Sequence, residues 1–176
     1  MTTQFINIDK NSNYKTPIEL KQFFLSSNFN ETKHFTFLHL NTISLIKKAD
    51  ALHQLICDLS VEPEVICITE TKLNSRSNIN FAHLNNYSFI HKDSLSNSGG
   101  VGMYIKKGLE FNERKDIKLF NKDVESLWAD ITIGKNKLIT VGVVYKHPKF
   151  KIPDFSDLFH KTLTKLNDEN HNFYIM

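Results

Sequence analysis

The sequence predicts an α/β fold with mixed sheets. Apolar runs of strand length alternate with two stretches of helical periodicity, and the middle of the chain holds strand pairs separated by turn residues. The chain has 176 residues, of which 40% are hydrophobic and 23% are charged. This length and composition are typical of one globular domain.

Residues 1–33 are rich in Asn, Ser, Thr and Lys and contain one short apolar cluster, which follows Pro17. This pattern predicts a polar leader with a single short helix. From Phe35 the sequence becomes aromatic and apolar. We therefore expect the folded domain to extend over residues 34–176.

Three segments at the start of the domain predict a parallel strand pair. The run FTFLHLN (residues 35–41) predicts a buried strand with Asn41 at its tip. VICITE (residues 65–70) predicts a strand covered on both faces, with Glu70 at its end. Between them, apolar residues at helical spacing predict an amphipathic helix over residues 44–60. Strand, helix and strand in this order indicate neighbouring parallel strands joined by a right-handed crossover.

Four strand-like runs follow in the middle of the domain. Residues 87–92 and 101–106 predict two strands around a Ser- and Gly-rich turn. Residues 124–133 and 137–146 predict a second pair, joined by a tight hairpin at Gly134, Lys135 and Asn136. This region is therefore predicted to be antiparallel.

A second helix and one more strand are predicted after Pro148. Apolar residues share one face over residues 154–167, and Asp154 or Ser156 is available as the N-cap. The run FYIM (residues 173–176) predicts the first residues of another buried strand. Because a domain rarely finishes inside a core strand, we expect further structure to belong beside it.

Charge and cysteine content give weaker indications. Subtracting 19 acidic from 22 basic residues gives a net charge of +3, which is compatible with a polyanionic partner without identifying one. Cys57 and Cys67 lie in apolar stretches without metal-ligand spacing, so reduced, buried thiols are expected.

The chain has no signal-peptide pattern, and no stretch approaches the ~18 apolar residues of a membrane span. We expect an intracellular protein, nuclear or cytoplasmic, without a membrane partner; its oligomeric state is left open.

Asn41 and Glu70 are the residues whose positions suggest chemistry. Parallel neighbouring strands end at the same sheet edge, where α/β proteins usually bind ligands, so the two side chains are expected to share a site. A carboxylate suits Mg²⁺ or Mn²⁺, and a neutral amide can hydrogen-bond a phosphate oxygen or a metal-bound water. The pair therefore suits phosphodiester cleavage. On spacing alone, a turn-forming Asn and a solvated Glu at a strand end remain open alternatives.

Several glycines and histidines carry less specific signals. Gly99, Gly100 and Gly102 lack the strand-to-helix setting of a phosphate-binding loop, so we expect them to permit a tight turn and close strand packing. His91 and His147 show no paired metal-ligand spacing, and each is expected to be a surface or strand residue.

Five segments follow one another along the domain: LHLNTISL (38–45), ICITETKL (66–73), SGGVGMYIK (98–106), VESLWADI (124–131) and VGVVYKHP (141–148). In this order they resemble successive motifs of the endonuclease domain of non-LTR retrotransposons. That domain is similar to apurinic endonucleases and deoxyribonuclease I, within the endonuclease/exonuclease/phosphatase superfamily. The resemblance extends from Phe35 to Met176, and its specificity lies in the order of the segments. It implies a partial four-layer α/β sandwich of the DNase I-like fold, with the C-terminal half absent.

The resemblance also implies roles for individual residues. Asn41 and Glu70 correspond to the metal and phosphate site of the family, which implies Mg²⁺ or Mn²⁺ as cofactor and DNA as partner. Tyr145 corresponds to a residue beside the scissile phosphate, although an aromatic residue at a strand end also has a purely structural interpretation. Lys72 is a candidate for binding the DNA backbone or a carboxylate, with an ordinary surface lysine as the simpler alternative.

Two departures limit what the resemblance implies. Ile43 stands where relatives often carry a basic residue. The Gly-Asp-Phe-Asn segment and the closing Asp-His pair of the family do not occur within residues 1–176. The resemblance therefore implies a truncated endonuclease domain with little or no activity. Two alternatives stay open: a non-catalytic remnant that binds DNA or protein, and a phosphoesterase of the same fold acting on a lipid or a small phosphoester.

Overall fold

The computed structural model describes residues 16–26, 34–59, 61–94, 98–117, 119, 123–134, 137–169 and 171–176. Within these residues the helices are α1 (Pro17–Ser26), α2 (Leu45–Asp58) and α3 (Ile152–Asp168), with a short 3-10 helix at Ile79–Ala82. The strands of the same residues are β1 (Phe37–Asn41), β2 (Val65–Thr69), β3 (Tyr87–Lys92), β4 (Val101–Lys106), β5 (Phe111–Glu113), β6 (Val124–Ile133), β7 (Lys137–Lys146) and β8 (Asn172–Ile175).

The strands form two four-stranded mixed sheets. The first sheet has the order β1-β2-β4-β3, and the second has the order β5-β6-β7-β8. β1 pairs with β2 in parallel, as the strand-helix-strand pattern predicts, and β7 pairs with β8 in parallel. The remaining neighbours are antiparallel, which confirms the predicted arrangement in the middle of the domain.

Three apolar cores separate four layers. The core between the sheets contains Cys67 from the first sheet and Val141 from the second. The outer face of the first sheet packs against α2, whose Leu45 is fully buried. The outer face of the second sheet packs against α3, where Leu166 lies in one core with Trp128. The layers therefore follow the order helix, sheet, sheet, helix, and the predicted four-layer sandwich is confirmed.

A polar cluster joins α3 to the second sheet. The guanidinium of Arg114 lies 2.8 Å from Asp116, 3.1 Å from Asp130 and 2.6 Å from Glu169. The ammonium of Lys165 lies 2.7 Å from Asp116. Hydrogen bonding to Arg114 is the main cause that lowers the pKa of Asp116 and of Glu169. We refer to these five residues as the Arg114 cluster.

Most predicted elements agree with the structure. β3, β4, β6 and β7 have the predicted bounds, and α2 buries the predicted face. β5 and the 3-10 helix were not predicted, because each is too short to show a period. Lys135 and Asn136 of the predicted hairpin lie outside the described residues.

Three predictions about burial and capping are wrong. β1 and β8 are edge strands and are only partly covered, whereas buried strands were predicted; Tyr174 is 39% exposed. The N-cap of α3 is Lys151, not Asp154 or Ser156, because Pro153 already fits the first turn of the helix.

The two cysteines lie in different environments. Cys67 is buried, as predicted, and burial raises the pKa of its thiol to about 12. Cys57 is exposed, so the prediction of a buried thiol is wrong there. Within the described residues, no helix combines the length and apolar character needed to cross a membrane.

Candidate active site

The polar residues of interest meet where the two sheets end together. Asn41, the last residue of β1, pairs in register with Thr69, and Glu70 follows directly. The loop before β4 lies beside them, because β4 runs antiparallel to β2. In the second sheet, Glu125 near the start of β6 lies opposite Tyr145 near the end of β7. We refer to this region, from Asn41 and Glu70 to Glu125 and Tyr145, as the site edge.

Asn41 and Glu70 are in direct contact, as their strand positions predict. The side-chain amide Nδ2 of Asn41 donates a hydrogen bond to Oε1 of Glu70 at 2.8 Å. The backbone N–H of Ile43 donates to Oδ1 of Asn41 at 3.2 Å. Together these bonds fix which way the amide faces, so Asn41 presents its donor to the carboxylate. The catalytic role of Asn41 and Glu70 stays a prediction.

Tyr145 is the third predicted site residue that the structure brings to this edge. Burial is the largest cause that raises the pKa of its hydroxyl, followed by the charge of Glu70 and by hydrogen bonding to that carboxylate. The charge of Glu125 raises the pKa further. At neutral pH the hydroxyl is therefore protonated, and its O–H donates to the carboxylate of Glu70.

The backbone at the site edge is strained. Ile43, Glu70 and Lys72 have φ values of 58°, 54° and 53°, and they are the only non-glycine residues with positive φ among those described. Such conformations cost about 1–3 kcal/mol each and persist where surrounding contacts impose them. Backbone hydrogen bonds supply such contacts, including Leu45 N–H to Thr71 O at 2.9 Å.

Lys72 and Ile43 differ in what they offer a ligand. The backbone N–H of Lys72 donates to Gly99 O at 2.8 Å, and its side chain is partly exposed. Among the described residues, the lysines that form ion pairs are Lys106 and Lys165, so Lys72 does not hold a carboxylate there. Ile43 is 61% exposed and places an apolar side chain beside Asn41. Of these two residues, Lys72 therefore has a cationic side chain that forms no ion pair among the described residues.

Glu125 is the residue of this edge that the sequence interpretation missed. Its side chain is 0% exposed and accepts a hydrogen bond from the backbone N–H of Gly100. A sequence signal exists, because Glu125 shares the inward-facing positions of β6 with Leu127, Ala129 and Ile131. A carboxylate in phase with apolar inward positions is unusual and calls for a specific partner.

Ser94, His147 and two glycines lie beside Glu125; Ser94 Oγ donates to its Oε1 at 3.5 Å. Nε2 of His147 lies 3.6 Å from Oε1 of Glu125, and His147 is 9% exposed, so its predicted surface position is wrong. His91 lies on β3, as expected of a strand residue. A Cβ atom on Gly99 would collide with the carboxylate of Glu125, and one on Gly100 with the hydroxyl of Thr71. The structural role predicted for these glycines is confirmed.

The donor atoms decide which metal this edge suits. Among the described residues, no group of three or more His, Cys, Asp or Glu side chains could hold a metal ion. Glu70 provides one carboxylate, and Asn41 turns its amide N–H toward that carboxylate, while its amide oxygen accepts from the backbone N–H of Ile43. Mg²⁺ is usually bound through one or two carboxylates and keeps several waters or phosphate oxygens, whereas structural Zn²⁺ needs four protein ligands. The residues present fit a partly hydrated Mg²⁺ or Mn²⁺ and not a structural zinc ion.

Comparison with solved structures identifies the fold. The chain is similar to an AP endonuclease from Leishmania major, with a TM-score of 0.60, 18% identity and coverage of 84% of this chain and 57% of that one. It is similar to the endonuclease domain of TRAS1, a telomere-specific non-LTR retrotransposon, with a TM-score of 0.55, 12% identity and coverage of 81% and 58%. The APE2 catalytic domain of Xenopus laevis gives a TM-score of 0.54, 14% identity and coverage of 80% and 57%.

These similarities, together with the four layers, show that the chain has the DNase I-like fold that these endonucleases share. The chain spans 57% to 58% of the length of these neighbours. The sequence matches no protein-family model and no curated protein.

Proposed function

We propose that this chain is part of a metal-dependent endonuclease domain of the retrotransposon type, which in its intact form nicks DNA by phosphodiester hydrolysis. The observation that carries the proposal is the Asn41–Glu70 hydrogen bond, with Tyr145 beside it, at the carboxyl end of the parallel strands. The fold supports it, because its neighbours include AP endonucleases and a retrotransposon endonuclease domain.

In this proposal each residue has a distinct task. Glu70 would hold Mg²⁺ through its carboxylate, and the ion would supply neutralisation of negative charge on the phosphate and the leaving oxygen. Asn41 orients Glu70 through its amide donor. Tyr145 keeps its proton and, in place of its hydrogen bond to Glu70, donates to a phosphate oxygen of the bound DNA. Lys72 contacts the DNA backbone, which adds affinity without reading sequence.

We further propose that the catalytic set is incomplete within these residues. The family resemblance assigns water positioning to an Asp and phosphate stabilisation to a His, and both belong to motifs that residues 1–176 do not contain. Loss of one such group typically costs about 3–4 kcal/mol of transition-state stabilisation. The 176-residue chain is therefore expected to show little or no nicking of DNA.

A Mn²⁺ titration by calorimetry tests the metal role of Glu70. Glu70→Gln is expected to weaken binding at least tenfold, since metal affinity falls by about 10–100-fold even when only a supporting group is removed. Glu62→Gln is the matched control: Glu62 also accepts a hydrogen bond from an Asn amide, that of Asn86 at 2.7 Å, but it lies before the start of β2. Equal affinities for the wild type and Glu70→Gln would contradict the proposal.

A nicking assay on supercoiled plasmid with Mg²⁺ tests the incompleteness. Little or no turnover is expected from the wild type, and turnover that Glu70→Ala abolishes would overturn this expectation. Salt-dependent DNA binding that is unchanged in Glu70→Gln would instead favour the alternative of a non-catalytic binding module. Cleavage of a phospholipid or of a small phosphoester, in place of DNA, would favour the alternative substrates that share this fold.

A further inference from the structure

Glu125 is a buried carboxylate to which the proposed chemistry gives no task. It is 0% exposed and faces the core between the two sheets. An ionised carboxylate in such a place is costly unless hydrogen bonds compensate it, and an apolar side chain of similar size is often neutral or stabilising there. Stability alone therefore does not explain a Glu at this position.

The contacts of Glu125 lead to the loop that carries Glu70. The backbone N–H of Gly100 donates to the carboxylate of Glu125. In turn, Gly100 O accepts from Thr71 N–H at 3.1 Å, and Gly99 O accepts from Lys72 N–H at 2.8 Å. Thr71 and Lys72 directly follow Glu70. One buried carboxylate thus holds the loop before β4, and the carbonyl groups of that loop bind the two residues that follow Glu70.

The hydrogen bonds from Thr71 and Lys72 to the loop before β4 lie where the backbone is strained. Glu70 and Lys72 have left-handed φ values of 54° and 53°, which need surrounding contacts to persist. Gly99 and Gly100 are placed to provide them, because only residues without a Cβ fit between Glu125 and Thr71. The hydrogen bonds from the loop to these glycines therefore set the direction in which Glu70 leaves the strand.

Glu125 also borders the other half of the site. It lies opposite Tyr145 across the β6–β7 pair, and its Oε1 is 3.6 Å from Nε2 of His147. We propose that Glu125 is a positioning residue, which fixes Glu70 relative to Tyr145 through Gly99 and Gly100. This inference rests on the proposed function and assigns the site a support that links its two sheets.

Two substitutions of Glu125 separate positioning from folding. Glu125→Gln keeps an oxygen that can accept from Gly100, whereas Glu125→Leu removes the acceptor and fills similar space. Glu125→Leu is expected to weaken Mn²⁺ binding about tenfold, and to lower the free energy of unfolding because it leaves the buried N–H of Gly100 without its acceptor. Glu125→Gln is expected to retain most of the affinity. A merely structural role would not weaken metal binding in a variant that stays folded.

The backbone provides a readout that does not depend on metal. In the wild type, Glu70 and Lys72 are expected to give the strong intraresidue Hα–HN NOE of left-handed residues, which Glu125→Gln retains and Glu125→Leu loses. If Glu125→Leu does not fold by circular dichroism, Glu125→Asp, which shortens the side chain by one methylene, is expected to show the same loss.

Different results overturn different claims. Retention of both the NOEs and the Mn²⁺ affinity in a folded Glu125→Leu or Glu125→Asp variant would overturn the positioning role. If the wild type does not bind Mn²⁺, the proposed metal role of Glu70 fails, and the NOEs still decide whether Glu125 holds the loop.

Discussion

The site edge and the Arg114 cluster are two polar regions of one fold, and they surround their carboxylates in opposite ways. In the Arg114 cluster, Arg114 and Lys165 lie within 3.1 Å of acidic groups, and the pKa of Asp116 and of Glu169 is lowered as a result. At the site edge, the partners of Glu70 are the neutral Asn41 and Tyr145. One region already holds its cations, and the other leaves negative charge available to a ligand.

The backbone shows the same contrast. Each non-glycine residue with positive φ in the described part of the chain lies at the site edge, at Ile43, Glu70 and Lys72. The residues of the Arg114 cluster have ordinary backbone conformations. Strain tends to collect where function needs a side chain in an otherwise unfavourable direction. We therefore propose that the Arg114 cluster stabilises the fold and that the site edge binds the ligand.

The largest expected effect comes from breaking the Arg114 cluster. Arg114→Met is expected to lower the free energy of unfolding by about 3–5 kcal/mol, because it leaves partly buried carboxylates without their cation. The side chain of Arg114 is only 15% exposed. Urea denaturation measures the loss. Lys165→Met is the control: its pair with Asp116 is 46% and 50% exposed, so about 0–1 kcal/mol is expected. Equal losses of unfolding free energy in the two variants would contradict the stabilising role of the partly buried Arg114.

Acidification is expected to weaken the same cluster. The pKa values of Asp116 and Glu169 are lower in the folded chain than their ordinary values of about 4, so their stabilisation is present above pH 4. It is lost as pH falls below 4 through the folded-state values. The unfolding free energy of the wild type should therefore fall more steeply below pH 4 than that of Arg114→Met. Parallel pH curves for the two proteins would contradict the assignment.

The smallest expected effect tests strain at the site edge. Ile43→Gly relieves a left-handed conformation that costs about 1–2 kcal/mol, against about 0.5–1 kcal/mol for the greater freedom of Gly in the unfolded chain. A net gain of about 0.5–1 kcal/mol in unfolding free energy is expected. Ile79→Gly is the control, because Ile79 is also exposed but does not have positive φ, and it is expected to destabilise the chain. Destabilisation by both variants would argue against strain at Ile43.

The sequence predicts those parts of the fold that depend on local pattern. Alternation and turn residues identify β3, β4, β6 and β7, and the strand-helix-strand order brings Asn41 and Glu70 together. The edge positions of β1 and β8 depend on sheet order, which no local pattern reveals. The Arg114–Glu169 contact joins residues 55 positions apart, so it could not be predicted either.

In the candidate site too, some features could be predicted from local sequence pattern and others could not. Glu125 could have been recognised, because it interrupts the apolar inward positions of a correctly predicted strand. The left-handed backbone at Ile43 could not, since β-branched residues are among the least suited to that conformation. His147 is buried beside Glu125 of the neighbouring strand β6, a contact that only the tertiary structure defines.

Paramagnetic broadening by Mn²⁺ tests the central claim most directly, because it compares both regions in one ¹H–¹⁵N spectrum. Substoichiometric Mn²⁺ is expected to broaden the amide signals of residues 41–43, 70–72 and 145, and to leave those of Arg114, Asp116 and Glu169 sharp. Glu70→Gln should abolish this broadening, while Glu62→Gln should not. Broadening centred on the Arg114 cluster, or broadening at the site edge that persists in Glu70→Gln, would contradict the account.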